Sequence, residues 1–144
     1  MVTGDSALRR VVLCVCGGVA AYKAAELARR LGDAGCEVQV AMTEAAQRFV
    51  GTATFQALTG RPVRTSLWEE AAEAAMGHIE LARWPHAIVV APATANTLAK
   101  LAHGLADDLV STLCLATTAP IFVAPAMNHR MWLHPATQAN MVLL

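Results

Sequence analysis

The sequence has no excess charge of either sign. Lys and Arg together number 11, as do Asp and Glu. Binding to a phosphate backbone calls for a basic surplus, which argues against nucleic acid as the main partner. A long apolar run is also missing. The longest candidate, Val11 to Tyr22, is interrupted by Gly17 and Gly18 and falls short of the roughly 20 residues a spanning helix needs, so no membrane span is expected. The start, MVTGDSALRR, has no apolar core of a signal peptide. Cysteine is scarce, with four residues and no C-x-x-C pair. Cys14 and Cys16 are two apart on one extended stretch and so point the same way, too close along the chain to bridge readily. No cysteine and histidine cluster has metal-site spacing. A reducing cytoplasm is the expected compartment.

Hydrophobic residues are plentiful, at 56% of the 144, and mean hydropathy is +0.43. Much of this is alanine, which points to close packing or a buried oligomer face. The length suits one domain with its own core.

Short apolar runs alternate with longer stretches of helical period. Val11–Cys16, Glu37–Met42, Ala87–Ala91 and Ile121–Ala124 read as buried strands, with Pro92 stopping the third. Helices are expected at Ala20–Arg30, Glu44–Phe49, Thr52–Leu58, Ile79–Trp84, Ala95–His103 and Asp107–Ala116, and another begins near Thr137. Val63–Trp68 reads as a short strand or extended segment, and Glu69–Gly77 as helix or loop. Near-continuous apolar strands separated by helices predict a parallel sheet covered on both faces, a single doubly wound, Rossmann-like α/β domain. Ligands of such sheets lie beyond the carboxyl ends of the strands. Four segments follow strands: Gly17–Gly18, Thr43, Pro92–Asn96 and Pro125–Asn128.

Each has a plain and a functional explanation. Gly17 and Gly18 make a tight strand-to-helix turn, or bring backbone N–H groups to an anion at a helix start. The pair is neither G-x-G-x-x-G nor a Walker loop, since Lys23 lies inside the helix. Thr43 caps a helix, or serves a phosphate. Thr94, Asn96 and Thr97 put two hydroxyls and an amide within four residues, more than one cap requires, which favours a polar ligand edge. Met127, Met131 and Trp132 fill core by default. Asn128 between them caps a following helix or offers an amide to a carboxylate. His78, after a glycine and before a helix, is a capping or surface residue, or the acid–base group best suited to neutral pH. His86, His103, His129 and His134 read as structural or solvated.

In order and spacing, GGVAAYK, GHIELARW, APATANTLAKLAHGLADDLVSTLCLA and APAMNHRMW resemble the homo-oligomeric flavin-containing cysteine decarboxylases. Within them they are most similar to the phosphopantothenoylcysteine decarboxylases of coenzyme A synthesis, which occupy the N-terminal half of bifunctional bacterial proteins. The resemblance runs from about Val11 to Asn140. It implies a flavoprotein-type fold and FMN. Gly17, Gly18 and Val19 fall at the first cofactor loop, Thr43 at a second contact and Phe49 near the ring. Thr94, Ala95, Asn96 and Thr97 match the family's Ser-Ala-Asn-Thr segment, and Ala126 lies beside the flavin. His78 matches the active-site histidine. Asn128, with Met127 beside it, matches the asparagine that holds the substrate carboxylate. Gly18 departs from the serine found in many relatives.

The implied reaction converts 4'-phosphopantothenoylcysteine to 4'-phosphopantetheine. The thiol end is oxidised to a thioaldehyde, carbon dioxide leaves, and the enethiolate is reduced again. A homo-oligomer is also implied, a trimer or a dodecamer of trimers with FMN at the subunit boundary. Residues 1–144 would be the FMN-binding decarboxylase domain. The family's cysteine-bearing flap, and the ligase domain that joins cysteine to phosphopantothenate, would lie beyond Leu144. Three alternatives stay open on the same fold: a peptidyl-cysteine decarboxylase, a flavin prenyltransferase, which the Pro-Ala-Met-Asn motif disfavours, and a non-catalytic regulatory flavoprotein.

Overall fold

Strand β1 (Arg10–Val15) is the centre of the structure, a computed structural model that describes residues 9–69 and 77–144. It pairs in parallel with β2 (Glu37–Met42) on one side and β3 (Ala87–Ala93) on the other, and β3 pairs in parallel with β4 (Ile121–Pro125). The order β2-β1-β3-β4 reverses direction between β1 and β3, which is where a doubly wound sheet opens a crevice. Beyond β2 the expected extended segment contributes a single bridge, Arg64 to Ala41.

Alternation along each strand sorts side chains into two cores. Leu13 and Val15 of β1, with Val38, Val40 and Met42 of β2, face one side. Helix α1 (Ala21–Asp33) covers that side with Ala21, Ala24 and Ala28, and α2 (Thr52–Thr59) adds Phe55. Val12, Cys14 and Cys16, with Ile88 and Val90 of β3, face the other. There α3 (His78–Arg83) brings Leu81, α4 (Ala95–His103) brings Leu98, and α5 (Leu109–Ala116) brings Leu109, Val110 and Leu113. Small residues on α1 let its backbone lie close to the sheet. Helices α6 (His129–Leu133) and α7 (Pro135–Leu143) follow β4.

Local chemistry fixes the boundaries. Gly60 and Gly104 end α2 and α4 in the left-handed region, where glycine carries no Cβ penalty. Asp108 caps α5 in a reciprocal box with Ser111. Pro135 occupies the first turn of α7, where its missing N–H is not needed.

Two expectations need correction. Pro92 does not stop β3. The strand runs on to Ala93 through a cis Ala91–Pro92 bond. The ladder to β4 is irregular between Val90 and Ala93, and such a position tolerates a residue without an N–H. The Pro92 carbonyl is still used, accepting from the Cys16 N–H at 3.2 Å. Nor is β4 a buried strand. It ends the sheet, pairs only with β3 among the described residues, and leaves Ile121 36% and Phe122 54% exposed. The Glu69–Gly77 expectation falls almost wholly on residues 70–76, outside the described residues.

Candidate active site

Three strand ends meet in one cavity of about 570 Å³, within the range of about 300–1,000 Å³ typical of small-molecule and cofactor sites. After β1 come Gly17, Gly18, Val19 and Ala20; after β3, Thr94 and Ala95; after β4, Ala126, Met127 and Asn128. Tyr22 and Lys23 of α1, Phe49 and Met131 complete the lining. The cavity lies at the sheet's point of reversal, where the topology predicts it.

The β1 end works through backbone. A Cβ on Gly17 would stand 2.5 Å from the Ala45 Cβ and 2.8 Å from its carbonyl carbon, so only glycine fits there. Nothing lies within 4 Å of the Cβ position at Gly18, which leaves room for a ligand, or a serine hydroxyl, against the chain. Helix α1 has no side-chain cap. The N–H groups of Gly18, Val19 and Ala20 donate to no acceptor among the described residues. Lys23 is the one charged side chain among the lining residues. Free N–H groups at the start of a 13-residue helix, with an ammonium one turn in, make this end suited to an anion.

The β3 end is a cap with a relay beneath it. Thr94 Oγ1 accepts from the Thr97 N–H at 3.1 Å and donates to Thr97 Oγ1 at 3.2 Å. Thr97 is buried, and beneath it burial pushes the Cys16 thiol up while hydrogen bonds to Thr97 and the Thr94 backbone oppose the shift.

The β4 end works through side chains. Asn128 Oδ1 accepts from the Arg130 N–H at 2.9 Å, which caps α6 and leaves the amide Nδ2 as a donor. Apolar groups crowd the rim: Val19 is 78%, Tyr22 61%, Phe49 51% and Met131 49% exposed. Large apolar side chains gathered around one opening mark a binding surface.

The structure therefore gathers Gly17, Gly18, Val19, Phe49, Thr94, Ala95, Ala126, Met127 and Asn128 at one cavity. Four expected residues are not in its lining. Thr43 caps the short turn that follows β2, accepting from the Ala46 N–H at 3.1 Å, and lines a neighbouring polar cavity with Asp107 and Asp108. Asn96 is exposed on the first turn of α4, and Thr97 faces inward beneath Thr94. His78 is the first residue of α3, half-buried, on the helix that packs against α5. Tyr22, Lys23 and Met131 are lining residues that the strand-end rule missed. Their signal was helical spacing: Tyr22 and Lys23 lie three and four residues after Val19, and Met131 three after Asn128.

All four cysteines are free. Among the described residues, no group of three or more His, Cys, Asp or Glu is placed to hold a metal ion, and no helix is long and apolar enough to cross a membrane.

Comparison with known proteins agrees with this geometry. Residues 2–144 match the Flavoprotein family. The coenzyme A biosynthesis bifunctional protein CoaBC of Escherichia coli K12 is 55% identical over 136 residues, 94% of this chain and 34% of that protein. Its counterpart in Bacillus subtilis is 50% identical over the same share. The chain thus spans about a third of the length of the curated relatives it matches. Among solved structures, the FMN-dependent cysteine decarboxylase SpaF superposes with a TM-score of 0.84 at 36% identity, covering 94% of this chain and 78% of that one. A PPC decarboxylase mutant complexed with pantothenoylaminoethenethiol gives a TM-score of 0.79 at 33% identity, covering 95% and 77%. The chain belongs to the flavoprotein family, alongside the FMN-dependent cysteine decarboxylases.

Proposed function

We propose that this chain is an FMN-dependent decarboxylase of 4'-phosphopantothenoylcysteine, acting in coenzyme A biosynthesis. The observation that carries this is the pairing of an anion-suited backbone loop at Gly18–Ala20 with a free amide donor at Asn128, in one apolar-rimmed cavity. Identity of 55% to a coenzyme A biosynthesis protein favours the small phosphorylated substrate over a peptide, since the peptidyl-cysteine decarboxylase EpiD is 26% identical.

The residues present fit FMN. The open space at Gly18 and the free N–H groups beside Lys23 suit its phosphate. Thr94 offers the one hydroxyl of the expected polar edge that reaches the lining, Ala95 and Ala126 are small enough to let a ring approach the backbone, and Phe49 and Val19 give an apolar edge. Thr97 holds the Thr94 hydroxyl from beneath, while Thr43 and Asn96 stand outside the lining. When bound, FMN supplies two-electron exchange with the thiol end of the substrate.

The chain's own residues bind and orient. A saturated carbon next to a carboxylate cannot hold the electron pair left when carbon dioxide departs, so oxidation of the thiol end must come first. Asn128 Nδ2 donates to the carboxylate and fixes its direction without a full positive charge, which would stabilise the anion against its loss. Met127 and Met131 pack beside the substrate and exclude water. His78 holds or moves a proton at the thiol end. Since it does not line its own chain's cavity, it acts across a boundary between copies, with the exposed rim of Val19, Tyr22 and Phe49 as the packing surface. Such a site requires a homo-oligomer, a trimer or a dodecamer of trimers, and the setting is the cytoplasm.

The test is mass analysis of the substrate pool after incubation with FMN-loaded protein. Loss of one carboxyl group per substrate is expected. Substrate recovered intact from protein that holds flavin would contradict the proposal and favour a non-catalytic flavoprotein. Mixing His78→Asn chains with Asn128→Asp chains should restore part of the activity that each lacks alone. No recovery in co-assembled chains would place His78 within its own subunit's site.

A further inference from the structure

Helix α6 is a wall with two sides. Met127, Asn128 and Met131 line the main cavity. His129, Arg130, Leu133 and His134 line a separate open depression of about 600 Å³. The spacing separates the two sets on different faces.

The chemistry of this second depression is one-sided. From Leu109 to Leu144 the chain contains no Asp or Glu. Arg130 has no carboxylate partner among the described residues, although its backbone N–H is committed to Asn128. His134 Nδ1 accepts from the Ala136 N–H at 3.0 Å, which fixes the neutral ring with its proton on Nε2, a donor free of that cap. His129 is exposed beside them. A guanidinium and two imidazoles without a nearby acid make a receptor for a compact anion, and the guanidinium fork suits a phosphate monoester.

We infer that this depression receives the phosphate of the substrate, with Arg130 as its principal contact and His134 Nε2–H as its second. The inference rests on the function proposed above. The reach is adequate. From carboxyl carbon to phosphorus the substrate has about twelve bonds, comparable to four extended residues, or about 14 Å. The wall between the two faces is a single short helix, His129–Leu133, about 10–12 Å across with its side chains. A substrate gripped by its carboxylate at Asn128 can therefore cross α6 and set its phosphate on the far side. By pattern alone His129 and His134 are structural or solvated. His134 is structural through Nδ1, which leaves its other nitrogen for recognition. A peptide ending in cysteine has no phosphate at this distance, so the depression selects for the small substrate.

The probes are the serine analogues of the substrate, with and without phosphate, in which a hydroxyl replaces the oxidisable thiol and the carboxylate is kept. Binding to FMN-loaded protein is measured by calorimetry, with flavin absorbance read in parallel. Wild type should bind the phosphorylated analogue at least about tenfold more tightly than the other. Arg130→Gln should bring that ratio close to one while leaving flavin content and affinity for the unphosphorylated analogue unchanged. Arg130→Lys should restore part of it. His134→Asn, which keeps an acceptor for the Ala136 N–H, should lower the ratio by a smaller factor. An unchanged ratio in the Arg130→Gln, His134→Asn double variant would overturn the inference and leave the proposed function standing. Failure of flavin-loaded wild type to bind either analogue would overturn the proposed function, and the inference with it.

Discussion

β1 and β4 end at the same cavity but are held in different ways. β1 has neighbours on both edges and helices on both faces, and Val12 to Val15 are fully buried. β4 closes the sheet order, with Phe122 half exposed. The difference extends to what each strand delivers. β1 leads into Gly17, which packs closely against Ala45, and Gly18, which presents its backbone N–H beside open space. β4 ends in Asn128, whose side chain caps α6 and offers an amide. A central strand supplies an anchor that is costly to alter. The edge strand supplies side chains that can change with substrate while the fold persists.

The largest effect should separate the strands themselves. Leu13→Ala removes a fully buried side chain and should cost about 2–5 kcal/mol. Phe122→Ala would cost about 3–5 kcal/mol in a closed core, and at 54% exposure it should cost well under half of that. Denaturant unfolding of both variants checks this, and equal losses would break the contrast.

The strand ends come next. Asn128→Asp keeps the cap on α6 but replaces the amide donor with a like charge. Turnover should fall by about 100- to 1,000-fold while the yellow colour of bound flavin persists, as read by steady-state kinetics and absorbance. Gly17→Val should do the reverse to the cofactor. Its side chain meets Ala45, so stability should drop by about 1–3 kcal/mol and the purified protein should be colourless.

The smallest effect concerns pH and lies away from both ends. Burial works to raise the Asp108 carboxyl, but the Ser111 hydroxyl and N–H and the Lys100 ammonium outweigh it and hold it below the usual carboxylate range. A lowered folded-state value means stability in full force above the ordinary Asp range, near 3.9, and lost as pH falls through the depressed value. Asp108→Asn should therefore unfold more readily than wild type at pH 6, with the gap narrowing as the pH falls below the ordinary Asp range. A gap independent of pH would assign Asp108 a capping role alone.

Much of this was legible in the sequence because local rules and the global fold agree. Apolar strands, glycine stops and caps placed every described strand and most helices within a few residues. The strand-end rule found the cavity, since Gly17, Thr94 and Asn128 each lie within three residues of a strand end. The exposure of β4 was not legible: IFVAP is as apolar as RVVLCV, and only sheet order tells edge from centre. Pro92 misled because irregular pairing toward β4 accommodates it. Tyr22, Lys23 and Met131 were missed because they reach the cavity from helix faces, and helix faces depend on where a helix docks. His78 carries a motif but follows no strand, so the strand-end rule does not place it, and it stands outside the lining.

The most direct test of the central claim is the visible spectrum of the FMN-loaded protein under anaerobic conditions, before and after addition of 4'-phosphopantothenoylcysteine. The account predicts a flavin spectrum that bleaches on addition, as electrons leave the thiol end of the substrate. An oxidised flavin spectrum unchanged at saturating substrate with no carbon dioxide released, or no uptake of added FMN, would contradict it.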